Sequence, residues 1–371
     1  MSYELAAGKH IIDVDMLTHG QSTVFSATSL VTARTLSPTA ATAKTESGAC
    51  SKKTAQTLLT NYMSSTLSYG SCTGRRGYYL GSYYANRGRW TLSSQTGRVR
   101  ITLRARSMIY PSVYCYTAQR MEIHPVIKSS SLGAATTNLG HAHYLYEYDR
   151  TLILVDFIHD VGVGSFTLDF IVYFDGQQSQ LYSDAEGGNN YLRVEDIPKQ
   201  EVNPANAALP TGRNGIPRRY LAQSYVAAES NIARTSSATT RYILLRDMDR
   251  NTNVYDLTFK ILQEKTRVRL YVKVDTYLYS TRNYASALSV ARLIPYIDGK
   301  SLGTCSERTK KMHIFEFDYE QSAQVCDMEF VLEKGEHKLR LQHYGLGEQS
   351  AIRTGAVSSM VLLEELVHEG S

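Results

Sequence analysis

From Ser47 to Met121, over 75 residues, the chain contains no aspartate and no glutamate. Such a segment has no carboxylates of its own, so its cations must find acids elsewhere in the fold, face a partner, or stay in solvent. Other residues are scarce too. There is one tryptophan against 27 tyrosines, an excess that suits half-wet pleated surfaces and interface rims. Of eight prolines, four (Pro198, Pro204, Pro210, Pro217) crowd one stretch, which reads as a linker. The five cysteines (Cys50, Cys72, Cys115, Cys305, Cys326) are odd in number, scattered, and form no CxxC pair. They predict neither a disulfide framework nor a zinc site, and they suit synthesis in a reducing interior. The longest clean apolar run is Leu152-Ile153-Leu154-Val155, far too short for a membrane helix. Met1-Ser2-Tyr3-Glu4-Leu5 has no basic stretch followed by an apolar one, so no secretory leader is expected.

What is present is repetition. Gly97 to Arg106 (GRVRITLRAR) and Thr266 to Asp275 (TRVRLYVKVD) alternate apolar and polar residues strictly, 169 positions apart. Period two predicts a strand with one buried and one wet face. The same offset relates Tyr144–Asp149 to His313–Asp318 and Tyr191–Asp196 to Met360–Glu365. Ser129–Gly133 matches Gly299–Gly303 at 170, and Gly164–Tyr173 matches Gly335–Tyr344 at 171. Offsets that drift by two and return describe loops changing length around fixed strands. The expectation is an all-β chain of two tandem jelly-roll-like antiparallel sandwiches related by internal duplication. The first occupies 51–197, a linker 198–217, and the second 218–371. Residues 1–50 have no counterpart and form an N-terminal arm, and 21 of the 52 residues from Gln21 to Cys72 are Ser or Thr, too polar to build a core. That arm is either a loose tail or a strap ordered on a neighbour. Ser51–Met63, with Leu58, Leu59 and Met63 on one side, is the candidate short helix.

The C-terminal copy ends in Gly335-Glu336-His337-Lys338-Leu339-Arg340-Leu341-Gln342 and then Ser358-Ser359-Met360-Val361-Leu362-Leu363-Glu364-Glu365-Leu366. This ending resembles the last strands of jelly-roll domains of the tumour-necrosis-factor and C1q type. It is similar too to jelly-roll modules in structural proteins of bacteriophages and other viruses. The first copy carries a weaker version, Gly164–Phe170 followed by Tyr191–Asp196. The resemblance covers about 35 residues per copy. It implies a non-catalytic structural protein of a virus or phage particle: a capsid, decoration or tail-associated subunit, made in the host cytoplasm and ending in the virion. Its partners would be copies of itself in a symmetric assembly and other virion proteins, with no membrane. The alternative is a fibre or adhesin sandwich binding a receptor or carbohydrate.

No cofactor or catalytic motif emerges. Gly162-Val163-Gly164 lacks the third glycine and following helix of a dinucleotide loop, and neither a P-loop nor a G-x-S-x-G elbow is present. His141 and His143, with Glu147, share one side of a strand and could hold a metal, but the second copy lacks an equivalent of His141. Surface histidines are the better reading. Glu147 and Asp149 stand about 7 Å apart on one face, the spacing of an acid/base pair. Glu316 and Asp318 repeat that pair, which favours a structural charge pattern over catalysis. No metal, cofactor or catalytic residue is therefore assigned.

The basic window is the candidate interface. It carries +11 in a chain of net charge +5, leaving −6 for the remainder. Arg98, Arg100, Arg104 and Arg106 project from the wet face of one strand, with Arg75 and Arg76 upstream among tyrosines. Basic residues among aromatics can bind nucleic acid, dock an acidic protein or lie in solvent. Protein contact is favoured, because a basic segment and an acidic remainder steer copies of one chain together. Glu195, Asp196, Glu364 and Glu365, near strand ends, are the candidate acidic counterparts.

Overall fold

A computed structural model describes residues 56–69, 75–84, 88–110, 119–140, 149–175, 178–181, 190–198, 218–233, 235–280, 288–311, 318–347 and 349–366. The proposed arm and nearly all of the proposed linker lie outside these. The described strands of the first copy form eight columns. In chain order these are β1 (Gln56–Tyr62) continued by β2 (Leu67–Tyr69); β3 (Arg76–Tyr79) continued by β4 (Trp90–Ser94); β5 (Arg98–Tyr110); β6 (Gln119–Ile127) with the short β7 (Ser130–Ser131); β8 (Thr136–Gly140); β9 (Asp149–Asp160); β10 (Gly164–Asp175); and β11 (Gln178–Leu181) continued by β12 (Tyr191–Asp196). Antiparallel pairing sorts the columns into two sheets of order 1-8-3-6 and 2-7-4-5. Eight strands in two facing sheets with this order make a jelly roll.

The second copy repeats every step. Its strands are β13 (Arg218–Val226) and β14 (Ser230–Ile232); β15 (Thr235–Tyr242), an added hairpin β16 (Leu245–Asp247) and β17 (Thr252–Val254), and β18 (Leu257–Ile261); β19 (Thr266–Ser280); β20 (Leu288–Ile297) with β21 (Lys300–Ser301); β22 (Ser306–Lys311); β23 (Asp318–Leu332); β24 (Gly335–Gly347); and β25 (Gln349–Ile352) with β26 (Met360–Leu366). The pairings are those of the first copy. Register is kept as well as order. Glu195 stands opposite Arg100, and 169 residues on Glu364 stands opposite Arg269. The bulge between Thr57 and Leu59 recurs between Tyr220 and Ala222, 163 residues later. Even the turn after β6 recurs: Lys128 and Ser129 have φ of 50° and 65°, Asp298 and Gly299 52° and 80°. Two successive positive φ values in a two-residue turn match the twist of a hairpin.

The inner faces are apolar by strand alternation. Val99, Ile101 and Leu103 on β5, Val268, Leu270 and Val272 on β19, and Leu339 and Leu341 on β24 are all fully buried. Trp90 meets Tyr84 and Phe170 edge-on in the first core. The two copies touch edge to edge, where Leu139 of β8 pairs with Gln321 of β23, so one sheet of each copy joins a common sheet.

Two expectations are corrected. The candidate helix is strand β1 from Gln56 onward: its bulge breaks the period-two pattern, so Leu58 and Leu59 read like neighbours on a helix face. Cys305 and Cys326 form a disulfide, with Cα atoms 5.4 Å apart across 21 residues.

Candidate interaction surfaces

Alternation along β5 sends Arg98, Arg100, Thr102, Arg104 and Arg106 to the outer face of the first sandwich. The expected row exists, but half of it is consumed within the chain. Arg100 is buried, and its Nε and Nη2 donate to the two oxygens of Asp156 at 3.0 and 2.8 Å. Asp156 also accepts from Thr102 Oγ1 at 3.1 Å. Burial alone would lower the Arg100 pKa; Asp156, with Glu195 and Glu364, instead holds it well above its ordinary value. The second copy repeats the arrangement. Arg269 forks onto Asp327, the positional equivalent of Asp156, and donates Nη1 to Glu364 Oε2 at 3.0 Å. Each jelly roll therefore carries the same Arg–Asp–Glu triad on the outer face of its 1-8-3-6 sheet.

The two triads meet. The Arg100 guanidinium carbon lies 5.1 Å from the ring centroid of Tyr271 in the second copy, and that of Arg269 lies 5.4 Å from it. Around them Ile158 and Ile197 of the first copy cluster with Tyr220, Tyr271, Met360 and Leu362 of the second. Arg98, 1% exposed, closes one end of this seam. Its Nε donates to Asp160 at 2.7 Å, and its Nη1 to Asp249 at 2.6 Å and Gln223 at 2.9 Å, both in the second copy. At the other end the fully buried Lys273 donates to Ala135 O of the first copy at 2.7 Å, to Ser358 O at 2.9 Å and to Asp275 Oδ1 at 2.9 Å. Such buried ions are tolerable only because every partner is in place; removing one partner of a buried pair costs about 3–5 kcal/mol. The seam thus welds the copies with charge-assisted bonds at both ends and an apolar middle.

The expectation that the whole row faces a neighbouring subunit is corrected for Arg98 and Arg100, which end on acids of their own chain. Arg106 is exposed and Arg104 half-buried, so the far end of the row stays at the surface. The acidic counterparts divide by the same alternation. Glu195 points outward with Arg100 and accepts from Arg193 at 2.7 Å, and Glu364 points outward with Arg269. Asp196 points inward at the sandwich end and ties the turn before β5, accepting from Ser94 Oγ at 2.6 Å and the Gln95 N–H at 2.7 Å. Glu365 holds the equivalent inward position and is buried.

Arg75 and Arg76 lie elsewhere, exposed on the 2-7-4-5 sheet. The Arg75 guanidinium carbon sits 4.4 Å from the Tyr173 ring centroid, and Arg75 Nη2 donates to Oε2 of Glu122, a residue that Arg120 and His124 also contact. Against the burial that would raise it, the His124 hydrogen bond and the charges of Arg120 and Arg75 hold the Glu122 carboxyl below its usual range. Glu122 follows immediately after the acid-free window, yet proximity in sequence gave no sign that it gathers two arginines and a histidine. His141, His143, Glu147 and Glu316 lie outside the described residues. Among the described residues no cluster of His, Cys, Asp and Glu is placed to hold a metal ion.

No family model and no curated protein matches the sequence. Among solved structures, the chain is similar to the tandem CBM22-1-CBM22-2 domain of Paenibacillus barcinonensis Xyn10C, at 9% identity, 85% of this chain, 100% of that one and a TM-score of 0.21. The VP2 subviral particle of infectious bursal disease virus matches at 12% identity, 80% and 82% coverage and a TM-score of 0.13. Oxalate decarboxylase from Bacillus subtilis matches at 10% identity, 86% and 77% coverage and a TM-score of 0.10. Scores this low carry no weight for function, and the fold rests on the chain's own strand pairing.

Proposed function

We propose that the chain is a non-catalytic structural protein of a virus or phage particle, a capsid, decoration or tail-associated subunit that self-assembles through its sandwich surfaces. It would be made in the host cytoplasm and end in the virion, beside other virion proteins. The observation that carries this reading is the seam. A jelly roll that buries its outer face against its own duplicate, through paired ion triads, is a domain whose surface suits association with copies of itself. The welded pair then acts as one rigid building block, and the exposed Arg76 and half-buried Arg104 are left at the surface to meet acidic surfaces of further copies.

Light scattering and negative-stain microscopy of the purified full chain test this reading. Ordered multimers that dissolve at high salt are expected; a monomer at every concentration would overturn it.

A second reading, a receptor- or carbohydrate-binding sandwich, draws on the outer face of the second 2-7-4-5 sheet. There Arg340 covers Tyr242 at 4.6 Å, Arg292 covers Tyr344 at 4.9 Å, and Tyr296 donates to Gln342 at 2.9 Å. Flat aromatic and polar groups side by side suit a hydroxyl-rich ligand, and glycan-array binding by a monomer would favour this reading.

A further inference from the structure

The seam between the jelly rolls is not symmetric. The first copy contributes the end of its outer face near Arg98, Arg100, Ile158 and Ile197; the second contributes the middle of its own, around Tyr271, Lys273, Met360 and Leu362. Duplication places both patches on both copies. The positions matching Arg98, Ile158, Asp160 and Ile197 in the second copy are Arg267, Glu329, Val331 and Leu366, by strand register. The positions matching Tyr271, Lys273, Met360 and Leu362 in the first copy are Thr102, Arg104, Tyr191 and Arg193. One set of each is spent in the seam. The other set is not: Arg267 and Val331 are exposed, Val331 by 60%, and Leu366, Thr102, Arg104, Tyr191 and Arg193 are half-buried.

We infer that these two leftover patches dock on each other between molecules, the Arg267–Glu329–Val331 face of one chain seating on the Thr102–Arg104–Tyr191–Arg193 face of another, head to tail. This rests on the self-assembly reading and names its surface. Three features on the two faces support the occupant. First, the equivalent positions are already covered by a copy of this domain inside the chain, so the contact has an intramolecular template. Second, the composition of the patch is kept while its order changes. Arg98 pairs with Asp160 beside Ile158, whereas Arg267 pairs with Glu329 at 3.2 Å beside Val331, so each copy sets one cation, one acid and one aliphatic side chain there. Third, the receiving face carries Arg104, a cation that suits Glu329, beside an Arg193 already engaged by Glu195. A contact between two different patches propagates, and it closes into a ring or runs on as a filament according to the rotation per step.

The test uses the full-length chain and two single variants, Val331→Glu on one patch and Arg104→Glu on the other, each checked for native folding by circular dichroism. Mass is read by light scattering across a concentration series. Wild type should grow beyond the monomer with concentration. Each variant alone should stay a monomer, and the two mixed should form a 1:1 heterodimer through their intact patches. A Val331→Glu chain that assembles like wild type overturns the inference while leaving self-assembly standing. Assembly lost in Val331→Glu but kept in Arg104→Glu overturns it in favour of a symmetric contact. A wild type that stays monomeric removes both this inference and the self-assembly reading.

Discussion

Arg100 of the first jelly roll and Tyr271 of the second face each other, guanidinium over ring at 5.1 Å, while both bond the same carboxylate, Asp156. The first-copy position equivalent to Tyr271 is Thr102, which also bonds Asp156. One carboxylate thus organises a triad in its own sheet and fastens the neighbouring sandwich. The divergence of a threonine from a tyrosine at one duplicated position separates the free face from the covered one.

Asp156→Ala should be the costliest single change at the seam. It strands the buried Arg100 guanidinium and removes an acceptor from Tyr271. A loss of about 3–5 kcal/mol in urea unfolding is expected. The double change Arg100→Met with Asp156→Leu, which removes both charges, should cost clearly less.

Stability should fall in acid partly through His343. It is fully buried in β24, its Nδ1 3.1 Å from Ser230 Oγ and its Nε2 3.0 Å from Ser350 Oγ. Burial, with the Arg241 charge, pushes its pKa down from 6.5 to about 4 against the Ser230 contact. Between those values the unfolded chain binds a proton that the folded chain refuses. Stability is therefore intact above the unfolded value and drains as pH falls toward about 4, by roughly 3 kcal/mol. The first copy has Val172 and Leu67 at the matching positions. Replacing His343→Val together with Ser230→Leu should flatten the acid limb of the stability curve, read by denaturant titration at about pH 7 and about pH 4.5.

The Cys305–Cys326 bond closes a loop of 21 residues between the start of the β22 column and the middle of β23. Peptide mapping without reductant should recover this pair from oxidised protein. Reduction should lower stability by about 3 kcal/mol on the chain-entropy account, seen as a drop in Tm in the presence of thiol.

The duplication was legible because β5 and β19 keep an unbroken alternation, GRVRITL against TRVRLYV, and such alternation survives drift in the loops. The early strands were not. QTLLTNY and RYLAQSY share a bulge and a register but only two of seven residues, and their offset of 163 is hidden by the β16–β17 hairpin inserted downstream in the second copy. The basic row was legible as a row, because spacing on a strand decides which side chains share a face. Its destination was not, because Asp156 lies 56 residues from Arg100 and Asp249 lies 151 from Arg98, distances that only tertiary packing closes. For the same reason Glu195 and Asp196, adjacent in sequence, read as one acidic patch although the pleat sends them to opposite faces.

The basic row is split, with Arg100 built into the seam and Arg104 left at the surface. Calorimetric unfolding of Arg100→Glu beside Arg104→Glu tests it most directly. A large loss of Tm is expected for Arg100→Glu, where a third carboxylate would be buried beside Asp156 and Glu195, and a Tm close to wild type for Arg104→Glu. Equal, small shifts for both substitutions would contradict it, because Arg100 would then be as free as its neighbour along the strand.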